Sequence, residues 1–153
     1  MRRTGNEPVS DARAYPDRPF LAVSAAIFRA GRVLIVRRAR PPAHGLYTLP
    51  GGVVETGETL HQAVAREVSE ETALAVEPLA LAGYREAIMR DAEARISRHF
   101  IILCFACRWL EGEPALNEEL AEAAWRSPSE LSDLQTTEGL AEIVAAAARI
   151  AAG

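Results

Sequence analysis

The spacing of hydrophobic residues predicts a chain in which strands and helices are mixed. The apolar runs FLAVSAAIF (20–28) and VLIVRR (33–38), separated by the turn residues AGR, predict a β-hairpin. Further extended segments are predicted for 46–50, 75–88 (as one or two strands), 98–110 and 123–127, with a polar connection at 89–97. Because strands and helices do not alternate regularly, the pattern predicts an α+β fold, an α/β/α sandwich in which helices pack on both faces of a mixed sheet.

Two longer segments have the spacing of amphipathic helices. Thr59 and Gln62 match a capping box, so the first helix is expected to begin after Thr59 and to extend to about Thr72. Residues 138–152 are predicted to form a second, C-terminal helix with its apolar residues along one side. The segment SPSEL at 127–131 is expected to start a short helical turn, since a proline is favoured near a helix start.

The first predicted helix carries acidic residues on its apolar side. At about 100° per residue, Glu67 and Glu71 project into the middle of the half that holds the apolar side chains, and Glu70 lies at its border. All three are late in the helix, where the negative end of the helix dipole disfavours them. Acidic runs on helices are usually solvated surface. An inward placement lowers stability, however, and a bound cation is the natural compensation.

Composition and charge restrict the classes of protein that need consideration. The chain has 153 residues, enough for one domain with its own core, and 17 basic against 21 acidic residues give a net charge of -4. This balance argues against a nucleic-acid partner, and no apolar run is long enough to span a membrane. Residues 1–18 are expected to be a polar, disordered lead-in, and residues 19–153 a single domain.

Two cysteines, Cys104 and Cys107, have the CxxC spacing that is also found in metal and redox sites. They lie in a predicted strand, where residues three apart face opposite sides. No second cysteine pair is present to complete a zinc site. Buried, unreactive thiols in a reducing, cytoplasmic compartment are therefore expected.

A longer motif surrounds the acidic residues. Gly52 is followed after five residues by Glu58 and, after seven more, by REVSEETAL at 66–74. This pattern resembles the Nudix box, the sequence motif of the Nudix hydrolase family. Every fixed position matches except the last glycine, which is Ala73 here. Because that glycine normally ends the helix with a positive φ, Ala73 is expected to end it less comfortably.

The resemblance extends from about Phe20 to Leu131 and implies the Nudix fold and a bound divalent ion, Mg²⁺ or Mn²⁺. It implies that Glu67 and Glu71 are direct metal ligands and that the Gly52 carbonyl joins them. Glu70 is implied to be a further ligand or to orient the attacking water. These residues would carry catalysis through the metal ion.

Two further roles follow from the resemblance. Glu58 and Arg66 are expected to pair and to brace the loop against the helix, behind the metal ligands. Family members often place another metal ligand or the catalytic base in the loop before the last strand. Of the acidic residues there, Glu119 is the predicted catalytic residue, against the alternative that this loop is merely solvated surface.

Arg37, Arg38 and Arg40 lie between the second strand and the motif. They are predicted to bind the phosphates of the substrate, and exposed charge at the end of a strand is the equally weighted alternative.

The resemblance implies hydrolysis of a phosphoanhydride in a nucleoside diphosphate derivative by attack of water. ADP-ribose or a related nucleotide sugar is the favoured substrate class, on analogy alone. A nucleoside triphosphate pyrophosphohydrolase that removes damaged nucleotides is the first alternative, and a nucleotide-binding sensor without activity is the second. A homodimer is the preferred quaternary state.

Overall fold

The computed structural model describes residues 12–153. The elements are β1 (Phe20–Arg29), β2 (Arg32–Arg38), β3 (Tyr47–Thr48), β4 (Gly51–Val53), α1 (Leu60–Thr72), β5 (Ala75–Arg90), β6 (Ile96–Glu111), β7 (Leu120–Arg126) and α2 (Leu140–Ala152). Within this range, neither helix is long and apolar enough to cross a membrane.

The strands of the described chain form one mixed sheet. Its main order is β3-β2-β1-β6-β5, and β4 and β7 add to β1 and β2, respectively. β1 and β6 pair in parallel, and all the other named pairs are antiparallel. β1 and β2 are joined as the predicted hairpin, in which Phe28 pairs with Val33. The expected mixed sheet is confirmed.

The two helices cover opposite faces of this sheet. Val64 and Val68 of α1 pack in the same cluster as Leu34 and Val36 of β2. The intervening residues of β2, Val33 and Ile35, pack on the other side with Leu140 and Val144 of α2. Because successive side chains of a strand point to opposite faces, one fully apolar strand supplies both cores. The α/β/α arrangement is therefore confirmed.

Strand β6 also divides its two cysteines between these cores. Cys107 belongs to the cluster beneath α1 and Cys104 to the cluster beneath α2, and both thiols are free and buried. Burial raises the pKa of both thiols, that of Cys107 to about 12. The expectation of buried, unpaired cysteines is confirmed, and neither thiol is activated as a nucleophile.

Two predicted connections differ from the structure. The connection predicted at 89–97 is shorter in the structure, residues 91–95, because β5 continues to Arg90 and β6 begins at Ile96. Asp91 closes the short turn between them by accepting hydrogen bonds from the backbone of Glu93 and Arg95. The segment 127–131 forms a single hydrogen-bonded turn and no helix, because the chain continues through further turns instead of repeating the helical bond.

Part of the predicted lead-in is docked on this β5–β6 turn. The Tyr15 amide donates to the Ser97 carbonyl at 2.9 Å, and the Tyr15 hydroxyl donates to Asp91 Oδ2 at 2.9 Å. The Arg95 guanidinium lies 4.9 Å from the centre of the Tyr15 ring, within the range of a cation–π contact. The expectation for residues 1–11 lies outside the described residues.

Candidate functional site

Helix α1 begins and ends as its sequence predicts. The Thr59 side chain accepts from the Gln62 amide at 3.1 Å, and the Gln62 side chain accepts from the Thr59 amide at 2.9 Å, completing the capping box. At the other end, Ala73 has a left-handed conformation with φ +63°, which an L side chain adopts at some energetic cost. The helix is thus fixed at both ends, with its acidic residues in the last two turns.

Glu71 is buried at the inner side of α1, with 6% of its surface exposed. Burial, followed by the neighbouring charges of Glu67 and Glu119, raises the pKa of the Glu71 carboxyl to about 8. Arg38 and a backbone hydrogen bond from Gly51 act in the opposite direction. At neutral pH the ionised form of Glu71 is therefore disfavoured, as expected for a buried carboxyl, and a bound cation would favour it.

Glu67 lies one turn earlier, next to β4. Burial raises the pKa of its carboxyl, although Arg66, which donates to Glu67 Oε1 at 2.9 Å, lowers it. The carboxylate lies directly over Gly52, where a Cβ would collide with it. Only glycine at position 52 leaves room for this carboxylate beside the strand backbone.

Arg66 forms the brace that the sequence predicts between loop and helix. Its guanidinium donates to both carboxylate oxygens of Glu58, at 2.6 Å and 2.9 Å, and to the Val53 carbonyl at 3.1 Å. These hydrogen bonds lower the pKa of Glu58 to about 2. The guanidinium thereby fixes the loop after β4 against α1 and orients Glu67 from behind.

Glu70 is the most exposed of the three acids. Its side chain is 57% exposed and accepts from Arg66 Nη1 at 3.2 Å. Among residues 12–153, no three acidic, histidine or cysteine side chains converge into one metal-binding cluster. Within these residues, the charge of Glu67 acts on Glu71, and Arg66 Nη1 donates to both Glu67 and Glu70.

The acidic loop before β7 is attached to the end of α1. The Ala115 amide donates to the Thr72 carbonyl at 2.9 Å and the Asn117 amide to the Glu71 carbonyl at 3.2 Å. These bonds satisfy backbone acceptors that a helix end leaves free. They also bring Glu119 close enough to raise the pKa of Glu71. Asn117, which the sequence did not single out, orders the loop by accepting from the Glu119 amide at 3.0 Å.

The three predicted phosphate-binding arginines are not equivalent. Arg38 and Arg40 line the cavity beside the acids; Arg38 donates to the Pro42 carbonyl at 2.6 Å, and Arg40 contacts Glu119 at 3.5 Å. Arg37 does not line this cavity and forms an ion pair with Glu122 at 3.2 Å. Neighbouring residues of a strand face opposite sides, so β2 presents only one of its two final arginines to the acids.

A cavity of about 980 Å³ extends from these acids to the first turns of α2. Its far wall has charged and aromatic side chains from β5, β6, α2 and the turn before α2: Tyr84, Arg85, Arg98, Glu138 and Glu142. The sequence pattern did not indicate Tyr84 or the two acids. Burial lowers the pKa of Arg85, which faces the charge of Glu138. The cavity is large enough for a nucleotide-sized ligand.

The donor set fits a hard divalent cation. The carboxylates of Glu67 and Glu71 and the carbonyl of Gly52 are oxygen donors of the kind that Mg²⁺ and Mn²⁺ prefer. Glu71 is buried, and its burial raises the pKa of its carboxyl. A buried carboxylate of raised pKa is consistent with a metal ligand.

The fold and the motif at the head of α1 define the class of protein as a pyrophosphohydrolase. A family model described as NUDIX domain matches residues 18–147, and the chain belongs to this family. It is a Nudix hydrolase; members of the family generally bind nucleotide substrates and use a divalent metal ion.

Relatives with known names agree with this assignment. An ADP-ribose pyrophosphatase of Methanocaldococcus jannaschii is 34% identical over 69% of this chain, but the match spans only 60% of that protein. A Mycobacterium tuberculosis protein whose name includes "8-oxo-dGTP diphosphatase 2" is 35% identical over 74% of this chain and 77% of its own. The crystal structure of a MutT NUDIX hydrolase from Burkholderia pseudomallei superimposes with a TM-score of 0.72 at 27% identity, covering 84% of this chain and 98% of that one.

Proposed function

We propose that this Nudix hydrolase cleaves the diphosphate linkage of ADP-ribose or a related nucleoside diphosphate sugar, with AMP and ribose 5-phosphate as the products from ADP-ribose. The observation that carries the proposal is the pair formed by half-buried Glu67 and buried Glu71, which line a cavity of about 980 Å³. A diphosphate at the acids leaves the rest of the cavity for the remainder of the nucleotide sugar. The archaeal relative named ADP-ribose pyrophosphatase supports this choice of substrate.

In this proposal Glu67, Glu71 and the Gly52 carbonyl hold Mg²⁺ or Mn²⁺. When bound, such an ion neutralises charge on the phosphate oxygens and lowers the pKa of a bound water. Arg38 and Arg40 line the same cavity as the acids, where they can bind the phosphate oxygens of the diphosphate. The Arg66 brace keeps Glu67 in place while the substrate binds, a role in positioning and not in the chemistry itself.

Glu119 is proposed to accept the proton of the attacking water. The observations in its favour are its proximity to Glu71, its place in the cavity lining and the two backbone bonds that attach its loop to α1. Glu119→Gln should lower kcat about 10²-fold, the effect of losing a general base. Glu70→Gln should lower it only about tenfold, because Glu70 is exposed and held by Arg66. Steady-state kinetics at saturating Mg²⁺ measure both, and an equal or larger loss for Glu70 would transfer the role to it.

A nucleoside triphosphate pyrophosphohydrolase is the second candidate. The Mycobacterium tuberculosis relative supports it, because that match spans more of the relative's own length than the archaeal match does. Both candidates use the same acids and differ in the group beyond the diphosphate.

The identity of the products separates these two functions. Purified protein with Mg²⁺ should convert ADP-ribose into AMP and ribose 5-phosphate, detected by chromatography, with other nucleoside diphosphate sugars and normal and oxidised nucleoside triphosphates run in parallel. Pyrophosphate release from a triphosphate at a higher kcat/KM would replace the first candidate by the second. Glu71→Gln protein, prepared in the same way, controls for contaminating hydrolases.

Three further expectations belong to this proposal. Residues 19–153 act as a single domain, and a homodimer is the preferred assembly. The free, buried thiols of Cys104 and Cys107 fit a reducing, cytoplasmic location.

A further inference from the structure

Arg13 enters the cavity from a segment that the sequence pattern assigns to the lead-in. It lines the same cavity as Glu67 and Glu70. Its positive charge acts on Glu67, whose pKa it lowers. Arg38 and Arg40 approach the acids from the loop after β2, so Arg13 adds a cation from a different part of the chain.

The segment that carries Arg13 is held in place by two residues that follow it, Tyr15 and Phe20. Tyr15 is held by its amide on Ser97, by its hydroxyl on Asp91 and by the guanidinium over its ring. Five residues later, Phe20 begins β1 and packs against Phe100, with ring centres 6.2 Å apart. We refer to the contacts of Tyr15 as the Tyr15 clasp. Because the clasp is two residues from Arg13, it restricts the positions that the guanidinium can reach.

We propose that Arg13 binds a non-bridging oxygen of the substrate's diphosphate and that the Tyr15 clasp positions it for this contact. The proposal rests on the diphosphate hydrolysis proposed above, because the ligand is the diphosphate held between the acids and Arg38. A guanidinium presents several donors in one plane and is suited to phosphate oxygens. Because Arg13 belongs to a different segment from Arg38 and Arg40 and lines the same cavity, it would add a further cation for the diphosphate.

The competing explanation is that Arg13 only balances the negative charge of Glu67. In that case the loss of Arg13 would strengthen the binding of Mg²⁺, since a competing cation would be removed. The affinity for the diphosphate would not change. Arg18 is the matched control: it lies in the same segment, its side chain is 85% exposed, and it does not line the cavity.

Binding of inorganic pyrophosphate in the presence of Mg²⁺, measured by titration calorimetry, tests the proposal without turnover of a nucleotide. Arg13→Ala should weaken pyrophosphate binding about tenfold, the effect of one charge-assisted hydrogen bond. Arg13→Lys should weaken pyrophosphate binding less than Arg13→Ala does, and Tyr15→Ala should weaken it several-fold. Arg18→Ala should bind pyrophosphate as the wild type does. For the substrate found in the product assay, Arg13→Ala should raise KM by a similar factor and change kcat little.

Two results would overturn the proposal. One is pyrophosphate binding by Arg13→Ala that equals that of Arg18→Ala, and the other is a change in Mg²⁺ affinity alone. If Tyr15→Ala binds pyrophosphate as the wild type does, the positioning role of the clasp is wrong. Absence of turnover on every nucleotide would count against the proposed function, and the pyrophosphate titrations would still decide the role of Arg13.

Discussion

Glu71→Gln is expected to abolish hydrolysis and, at the same time, to stabilise the metal-free protein. Loss of this ligand should lower kcat about 10³-fold or more at saturating Mg²⁺, because the charge that holds the cation is removed. The gain in stability follows from burial. Burial makes ionisation of the Glu71 carboxyl unfavourable and so raises its pKa to about 8, whereas a neutral amide does not ionise.

The sign of the stability effect depends on pH. Below about pH 4.5 the Glu71 carboxyl is protonated in both folded and unfolded chains. Between there and about pH 8 the unfolded chain ionises first, so the free energy of unfolding of the wild type falls as the pH rises. Across this window Glu71→Gln should gain on the order of 4 kcal/mol in free energy of unfolding relative to the wild type.

Thermal denaturation in EDTA at pH 5 and pH 8 measures this difference. The melting temperature of Glu71→Gln should exceed that of the wild type at pH 8 and approach it at pH 5. The exposed Glu130, converted to glutamine, provides a control that should change neither stability nor activity. A variant that loses activity and is also less stable at pH 8 would contradict the assignment of Glu71 as a buried, destabilising acid.

Gly52→Ala is expected to lower kcat about 10²-fold while leaving most of the fold intact. A methyl group at this position collides with the Glu67 carboxylate, so Glu67 must rotate away from Glu71. A displacement of about 1 Å in a catalytic group is enough for a loss of this size. Because Gly52 has no positive φ, the substitution introduces no additional backbone strain there.

A second glycine separates this local effect from a general one. A Cβ at Gly31 meets no atom within 4 Å, but its φ of +77° disfavours an L side chain. Gly31→Ala should therefore lower the melting temperature and leave kcat and the Mg²⁺ requirement unchanged. If Gly52→Ala behaves like Gly31→Ala, the packing of Glu67 on Gly52 has no part in catalysis.

The features predicted most accurately from the sequence are those determined by neighbouring residues. Thr59 and Gln62 cap α1 through a local exchange of hydrogen bonds, and Ala73 ends it in the left-handed conformation that the missing glycine normally adopts. The inward direction of Glu67 and Glu71 follows from helix geometry alone. The pairing of Glu58 with Arg66 depended on the family motif, because their spacing alone does not specify a contact across a loop.

Long-range packing determined what the sequence pattern missed. Both ends of the segment 89–97 extend the strands, because β5 and β6 continue to pair up to Arg90 and Ile96. Arg13 lies in a segment too polar to predict as ordered, and its position depends on Tyr15 docking more than 75 residues away along the chain. The far wall of the cavity combines β5, β6 and α2, whose proximity no local pattern encodes.

The attachment of the acidic loop to α1 has a consequence for how this enzyme can diversify. The amides of Ala115 and Asn117 donate to carbonyls at the end of the helix, so an insertion or deletion in this loop would shift Glu119 relative to Glu71. In the far wall, Tyr84, Arg85 and Glu142 project from regular elements and can be exchanged singly. Substitutions at Tyr84, Arg85 and Glu142 can therefore change which substrate the enzyme accepts. The acidic loop before β7, by contrast, must keep its length.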